Sequence, residues 1–299
     1  MKRIVITGGS GFVGTNFIKY LKDEYEVILV NLRYKAYCLP NEGCEAIVHL
    51  AGKAHDLKNI TNPEDYYQAN FELTKELYDA FLRSNIENFF FISSVKAVSD
   101  SPVDILTENY LPAPQTHYGK SKLKAEQYIQ KQPLPQGKSY YILRPCMIHG
   151  PGNKGNLNLL YKLISMAIPY PLASFSNKRS FLSVENLCFI IKEIFEGGDI
   201  ISGVYNVADD ESLSTNEVVA LLAQAQNKTP RLINIPKSLI ICLAKIGDKL
   251  HLPLTTERLQ KLTENYVVSN KKIKDALKKE LPLSTREGIL KTARSFKDA

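Results

Sequence analysis

The segment YGKSK at 118–122 places a phenol and an ammonium group four positions apart. On a helix that spacing puts Tyr118 and Lys122 on one face, one turn from each other. A free phenol titrates at about 10 and is a poor base at neutral pH. A neighbouring cation favours the phenolate and lowers that value, which would let Tyr118 pass a proton to or from a hydroxyl. A serine hydroxyl poised over the same oxygen would complete such a site. NFFFISSV (88–95) supplies Ser93 and Ser94 where an apolar run ends. The same five residues would also serve as a solvated helix face, and spacing alone does not choose.

The elements that must position these groups follow from periodicity. RIVIT (3–7), EVILV (26–30), EAIVHL (45–50), NFFFIS (88–93) and SYYILRP (139–145) are short apolar runs that read as buried strands. Between them, 12–23, 63–84 and 117–131 read as helices. Pro63, Glu64 and Asp65 suit the first turn of the second of these. Residues 1–150 therefore alternate strand and helix, as a doubly wound parallel sheet does, and Ser93 and Ser94 leave their strand at the end where such sheets bind ligands. After Pro151 the texture changes. A helix at 184–196 and a strand at 204–208 return to the sheet. Segments 157–167, 215–226, 237–249, 255–264, 270–278 and 284–297 read as the helices of a smaller lobe. The expected division is a sheet domain of 1–150 with 181–208, and a substrate lobe of 151–180 with 209–299.

TGGSGFVG (7–14) follows the first strand and opens the first helix. Glycines there allow a tight turn and a close backbone approach to a pyrophosphate, which the helix N-terminus attracts. Gly8, Gly11, Phe12, Val13 and Gly14 are thus candidates to bind a dinucleotide, and Gly14 to let helix and sheet pack closely. A cationic nicotinamide ring docked there would join Lys122 in favouring the Tyr118 phenolate. Such folds usually place an acid for the adenosine ribose at the end of the second strand. Here Asn31 stands there, followed by Arg33 and Lys35. Only about 14 residues then separate Asn31 from the strand at 46, too few for a crossover unit, so the sheet is expected to lack one strand-helix pair. Either Asn31 occupies the ribose position, or NLR stands where an adenine-contacting segment lies. Arg33 is suited to a 2′-phosphate, which leans the cofactor from NAD towards NADP.

TGGSGFVG, VHLAG (48–52), Asn70 in the next helix, FISSV, YGKSK and LRP (143–145) occur in an order that resembles the extended short-chain dehydrogenase/reductases, in the branch of NAD-dependent sugar-nucleotide epimerases and 4-ketosugar reductases. The resemblance runs on through RPCMIHGPGNKGN (144–156), NKRSFLSVENL (177–187) and YNVADDESLSTNEV (205–218). It implies a Rossmann-type fold and an enzyme acting at C4 of a nucleotide-linked hexose or N-acetylhexosamine, with UDP the expected carrier, by epimerisation or by 4-keto reduction. Tyr118 would be the acid/base, Lys122 its electrostatic partner and holder of the nicotinamide ribose, and Ser94 the hydroxyl on the reacting oxygen. Ser93 would face the cofactor, with a one-residue slip between the serines left open. Leu50, Ala51, Gly52, Asn70 and Pro145 would line the cofactor. Asn156 and Arg179 would hold the substrate diphosphate, a guanidinium being suited to phosphate oxygens. Dehydratases of this group carry an Asp-Glu pair after the catalytic hydroxyl; here Val95 and Lys96 follow Ser94, which excludes water elimination. A homodimer is expected by the same resemblance. The rival expectation is a catalytically silent NAD(P)-binding sensor or scaffold on the same fold.

Composition agrees with a soluble enzyme. Of 299 residues, 44% are hydrophobic and 23% charged, within the globular range. Five cysteines without a CxxC pair suggest reduced thiols and a cytoplasmic protein. The net charge of +7 is dispersed, apart from KKIKDALKK (271–279), which argues against nucleic acid. No run approaches the roughly 20 apolar residues of a membrane span; the apolar face of 237–249 could touch a membrane surface, but it is expected to pack within the lobe. His49 reads as structural or cofactor-lining, His117 as a cap of the Tyr118 helix, and no histidine has the partners of a metal site.

Overall fold

Apolar residues alternate in facing along each strand, and that alternation builds two separate cores. A computed structural model describes residues 1–32, 39, 43–53, 62–153, 155–197, 200–250 and 255–297. The strands are β1 (Lys2–Thr7), β2 (Tyr25–Val30), β3 (Cys44–His49), β4 (Asn88–Ile92), β5 (Ser139–Pro145), a short pair β6 (Met147–His149) and β7 (Phe181–Ser183), and β8 (Gly203–Val207). Six of them form one sheet in the order β2-β1-β3-β4-β5-β8, every pairing parallel. This is the doubly wound order 3-2-1-4-5-6 without the strand at position 3 and with β8 added beyond position 6. Among the described residues the sheet ends at β2, as the tight 31–46 spacing requires. Arg33 and Lys35, on which the NADP expectation rests, lie outside the described residues.

On one face, Ile4, Ile6 and Phe90 pack with Phe17 and Leu21 of α1 (Phe12–Leu21) and with Leu187, Ile190 and Ile194 of a later helix. On the other, Val5, Ile47, Phe89, Phe91 and Ile142 pack with Leu77, Tyr78 and Phe81, and with Ala125 and Ile129. The latter helices are a run from Pro63 to Arg83 and α4 (His117–Lys131). The run comprises α2 (Pro63–Tyr67), a π turn at Gln68–Glu72 and α3 (Leu73–Arg83). Asn62 caps its start by accepting from the Glu64 N–H.

A third apolar cluster joins Leu157, Ile164, Leu213, Leu222, Ile240, Leu259 and Ile289. It is built by α5 (Asn156–Ser165), α7 (Thr215–Ala225), α8 (Lys237–Leu250), α9 (Thr256–Thr263) and α11 (Thr285–Ser295), whereas α6 (Val184–Gly197) and α10 (Lys271–Leu277) join the sheet side. All the helices expected from periodicity form. The pair β6–β7 was not expected, because three residues are too few to show a period. No described helix is long and apolar enough to cross a membrane.

Candidate active site

Glycine is required where β1 turns into α1. Gly8 has a φ of 71°, and a Cβ there would lie 2.6 Å from the Ala51 nitrogen. A Cβ on Gly14 would stand 2.3 Å from the Gly8 carbonyl oxygen, so α1 can begin this close to the sheet only as it does. Gly11 caps α1 and donates its N–H to Gly8 O at 3.0 Å. The Asn16 amide donates to Phe12 O at 2.8 Å and to Pro151 O at 3.1 Å, which ties Phe12 to the loop after β6, while Val13 is the next residue of α1. Asn31 stands exposed just past β2, whose Val30 pairs with Thr7. The turn lies at a helix N-terminus, between the ends of β1 and β3, and it fits a pyrophosphate.

The serines diverge where β4 ends. Ser94 caps a short 3₁₀ turn (Val95–Ala97), accepting from the Lys96 N–H at 3.2 Å. Thr116, not His117, caps α4, accepting from the Gly119 N–H at 3.2 Å while Asp100 holds Thr116 in place. His117 instead lies 3.3 Å from the Tyr67 hydroxyl. A Cβ on Gly119 would stand 2.3 Å from Lys96 O, so the first turn of α4 presses directly on the 3₁₀ turn. That contact brings the hydroxyls of Ser94 and Tyr118 into a hydrogen bond. The Tyr66 ring packs edge-on against Tyr118, with centroids 6.2 Å apart.

Burial pushes the Tyr118 phenol above its ordinary value, while the Ser94 hydrogen bond pulls it down and Tyr66 adds to the rise. The lowering expected from Lys122 is therefore not what sets its direction. The Lys122 ammonium is committed elsewhere. It is buried, donates to Ile92 O at 2.9 Å, and lies 4.8 Å from the Phe91 ring centroid. A Cβ on Gly52 would be 3.2 Å from its Nζ, so the cation borders the backbone that leaves β3. Burial holds Lys122 down at about 8, with Glu126 acting in the opposite sense.

Glu126 was missed in the sequence. It continues the Tyr118–Lys122 face by another four residues and is fully buried. Its carboxylate takes the Arg144 guanidinium through Nε at 3.0 Å and 3.1 Å and through Nη2 at 2.5 Å. It also accepts the Ser93 hydroxyl at 2.5 Å. Ser93 is thus turned onto this ion pair, and Ser94 is the serine that meets Tyr118.

A second polar chain supports the cradle. Thr7 at the end of β1 and Thr74 in α3 bracket His49 at the end of β3, with Oγ1 to Nδ1 at 2.6 Å and Nε2 to Oγ1 at 2.9 Å. Thr74 donates to Asn70 O at 2.9 Å, and Thr7 accepts from the Ala51 N–H at 3.3 Å. This order requires the proton on Nε2 and a lone pair on Nδ1. Burial, with a smaller contribution from the Lys122 charge, holds His49 neutral, down at about 3. His49 is structural. Asn70 sits in the π turn, a feature common at functional sites. It is buried, accepts from the Lys53 N–H at 2.7 Å and donates to Lys53 O and Ser121 Oγ, each at 3.1 Å.

The remaining expected residues are dispersed around this centre. Leu50, Ala51 and Gly52 leave β3 beside the glycine turn, and Pro145 closes β5 in a buried position. Asn156 opens α5 and is exposed. Arg179 is half-buried, its backbone bridged to Leu213 and Tyr266 and its charge felt by Cys146 and Tyr266.

A profile of the NAD dependent epimerase/dehydratase family matches residues 4–208. The chain belongs to that family. Among its relatives are a UDP-glucose 4-epimerase of Vibrio cholerae, 30% identical over all of this chain and 96% of that protein. Another is an N-acetyl-alpha-D-glucosaminyl-diphospho-ditrans,octacis-undecaprenol 4-epimerase of Escherichia coli O157:H7, 27% identical over 78% of this chain and 75% of that one. The solved UDP-N-acetylglucosamine 4-epimerase of Bacillus cereus shares the fold, with a TM-score of 0.77, 21% identity, and coverage of 99% of this chain and 100% of that one. Membership makes the chain an NAD(P)-binding protein of the sugar-nucleotide epimerase and reductase type.

Proposed function

We propose that this chain acts at C4 of a nucleotide-linked hexose or N-acetylhexosamine, with UDP as carrier, by epimerisation or by reduction of a 4-keto sugar. The observation that carries the reading is the Ser94–Tyr118 hydrogen bond at the carboxyl end of β4, with Lys122 one turn away beside Gly52. Bound NAD(P) supplies the acceptor or donor of hydride and a positive ring that favours the phenolate. Tyr118 then moves the hydroxyl proton at C4, and Ser94 holds the same oxygen. A raised phenol keeps its proton at neutral pH, which is the form needed when an alcohol is regenerated from a ketone. Lys122, anchored on Ile92 O, orients the nicotinamide ribose. In this reading residues 1–150 and 181–208 hold the cofactor, with NADP favoured through Arg33. The lobe of 151–180 and 209–299 holds the diphosphate through Asn156 and Arg179, and the enzyme works as a homodimer.

The test is incubation with UDP-glucose, UDP-galactose, their N-acetyl forms and a UDP-linked 4-keto hexose, with NADPH absorbance followed alongside product analysis. Interconversion without net loss of NADPH identifies an epimerase; stoichiometric loss with a 4-keto sugar identifies a reductase. Tyr118→Phe should lower turnover by roughly 10²–10⁴. A silent sensor or scaffold would show neither activity, and its role in cells would survive Tyr118→Phe.

A further inference from the structure

The sequence pattern of 237–249 leads one to expect α8 to hide its apolar side within the lobe. In the structure only Ile240, Ala244 and Gly247 do so. These three define a narrow inward stripe. Next to it, at the helical spacing of 4, 3 and 4 residues, Leu239, Leu243, Ile246 and Leu250 form a second apolar stripe that faces outward, each between 42% and 65% exposed. The approach to α8 continues the surface, since Leu232 and Ile233 are 40% and 45% exposed. Scattered apolar residues are ordinary on a protein surface; a continuous stripe along a 14-residue helix is not.

The charges beside the stripe say what covers it. Lys245 and Lys249 are exposed and make no ion pair among the described residues. Asp248 is the helix's sole acid, against Lys237, Lys245 and Lys249, so α8 keeps a net positive charge. A second copy docked about a twofold axis would lay this face against itself, setting one net-positive face against another. A surface of lipid phosphates supplies the missing counter-charge, and its acyl boundary receives the leucines and isoleucine. We propose that α8 docks this protein on the surface of an anionic lipid bilayer, lying in the interface without crossing it. The inference goes beyond the catalytic reading above and does not depend on it.

The experiment is co-sedimentation of the full chain with vesicles of phosphatidylcholine containing about one-third phosphatidylglycerol, and with vesicles of phosphatidylcholine alone. The chain should partition onto the anionic vesicles at least ~10-fold more strongly, and lose that advantage in about 0.5 M salt. Leu243→Glu/Ile246→Glu should reduce partitioning at least ~10-fold, and Lys245→Glu/Lys249→Glu should do the same on anionic vesicles. Circular dichroism melts that match the parent chain show that each variant is folded. Vesicle binding needs neither cofactor nor turnover, so a failed sugar assay leaves this result intact, and the reverse. The proposal is overturned if the parent chain binds no vesicles, or if binding is indifferent to Leu243→Glu/Ile246→Glu. It is also overturned if those substitutions convert a dimer to a monomer in sedimentation equilibrium while vesicles bind nothing, which would assign the face to a second copy.

Discussion

Lys122→Met separates what the active-site cation does for stability from what it does for chemistry. Burial takes this ammonium from an ordinary 10.5 to about 8. A depression of that size corresponds to roughly 3 kcal/mol held against the folded state at neutral pH. Methionine fills a similar volume and removes that penalty, but it leaves Ile92 O without the donor that Lys122 supplied at 2.9 Å, which costs about 1–3 kcal/mol. At pH 7 the variant should therefore be as stable as the parent or slightly more so. The decisive quantity is how the difference changes with pH. Between about 8 and 10.5 the unfolded chain holds a proton that the folded chain has released, so the parent gains stability as pH rises. The gain is about 1.4 kcal/mol per pH unit relative to the variant, or roughly 2 kcal/mol from pH 8 to pH 9.5. Urea unfolding of both proteins at pH 7, 8, 9 and 9.5 measures it, because other titrating groups cancel in the difference. Parallel curves across that range would refute the reasoning and mean that Lys122 keeps an ordinary affinity for its proton.

Three further outcomes follow from the same geometry. Glu126→Leu strands the buried Arg144 and should cost about 3–5 kcal/mol. With about 2.1 cal/mol/K per residue, that lowers the calorimetric midpoint by roughly 5–8 °C, and Glu126→Leu/Arg144→Met should recover most of it. His49 is held down at about 3, so between about 6.5 and 3 the unfolded chain takes a proton that the folded chain refuses. The parent should lose roughly 2 kcal/mol from pH 7 to pH 5, and His49→Gln should lose clearly less in urea melts at the two values. Gly14→Ala places a Cβ 2.3 Å from Gly8 O and 2.7 Å from Gly9 Cα. Neither is a side chain able to move aside, so stability should fall by about 1–3 kcal/mol, and NADH fluorescence titration should show weakened binding.

Much of this arrangement was legible because it is local. The Tyr118–Lys122 pair, the glycine turn and the strand-helix alternation each reside in a few consecutive residues, and the shortened sheet followed from a single gap length. What was not legible depends on contacts far apart in sequence. Glu126 lay on the visible face of α4, but its role needs Arg144 from β5 and Ser93 from β4. The choice between Ser93 and Ser94 turned on the close approach of Gly119 to Lys96 O, which no spacing rule contains. Lys122 was expected to act mainly on the phenol. Its commitment to Ile92 O is a backbone contact, invisible until β4 and α4 are placed. The outward stripe of α8 escaped for the opposite reason: periodicity marked the helix as apolar without saying which of two neighbouring stripes the lobe would cover.

The π turn at Gln68–Glu72 acts as a phase shifter between two obligations. Upstream of it, Tyr66 must meet Tyr118; downstream, Leu77, Tyr78 and Phe81 must face the sheet. Each residue advances a regular helix by about 100°. Deleting one residue from this turn would let the helix run true, yet no rotation would then satisfy both ends. Either the Asn70 amide swings away from Lys53 and Ser121, or the aromatic underside rolls towards water. One surplus residue thus allows a single rod to serve as wall for the site and as roof for the core.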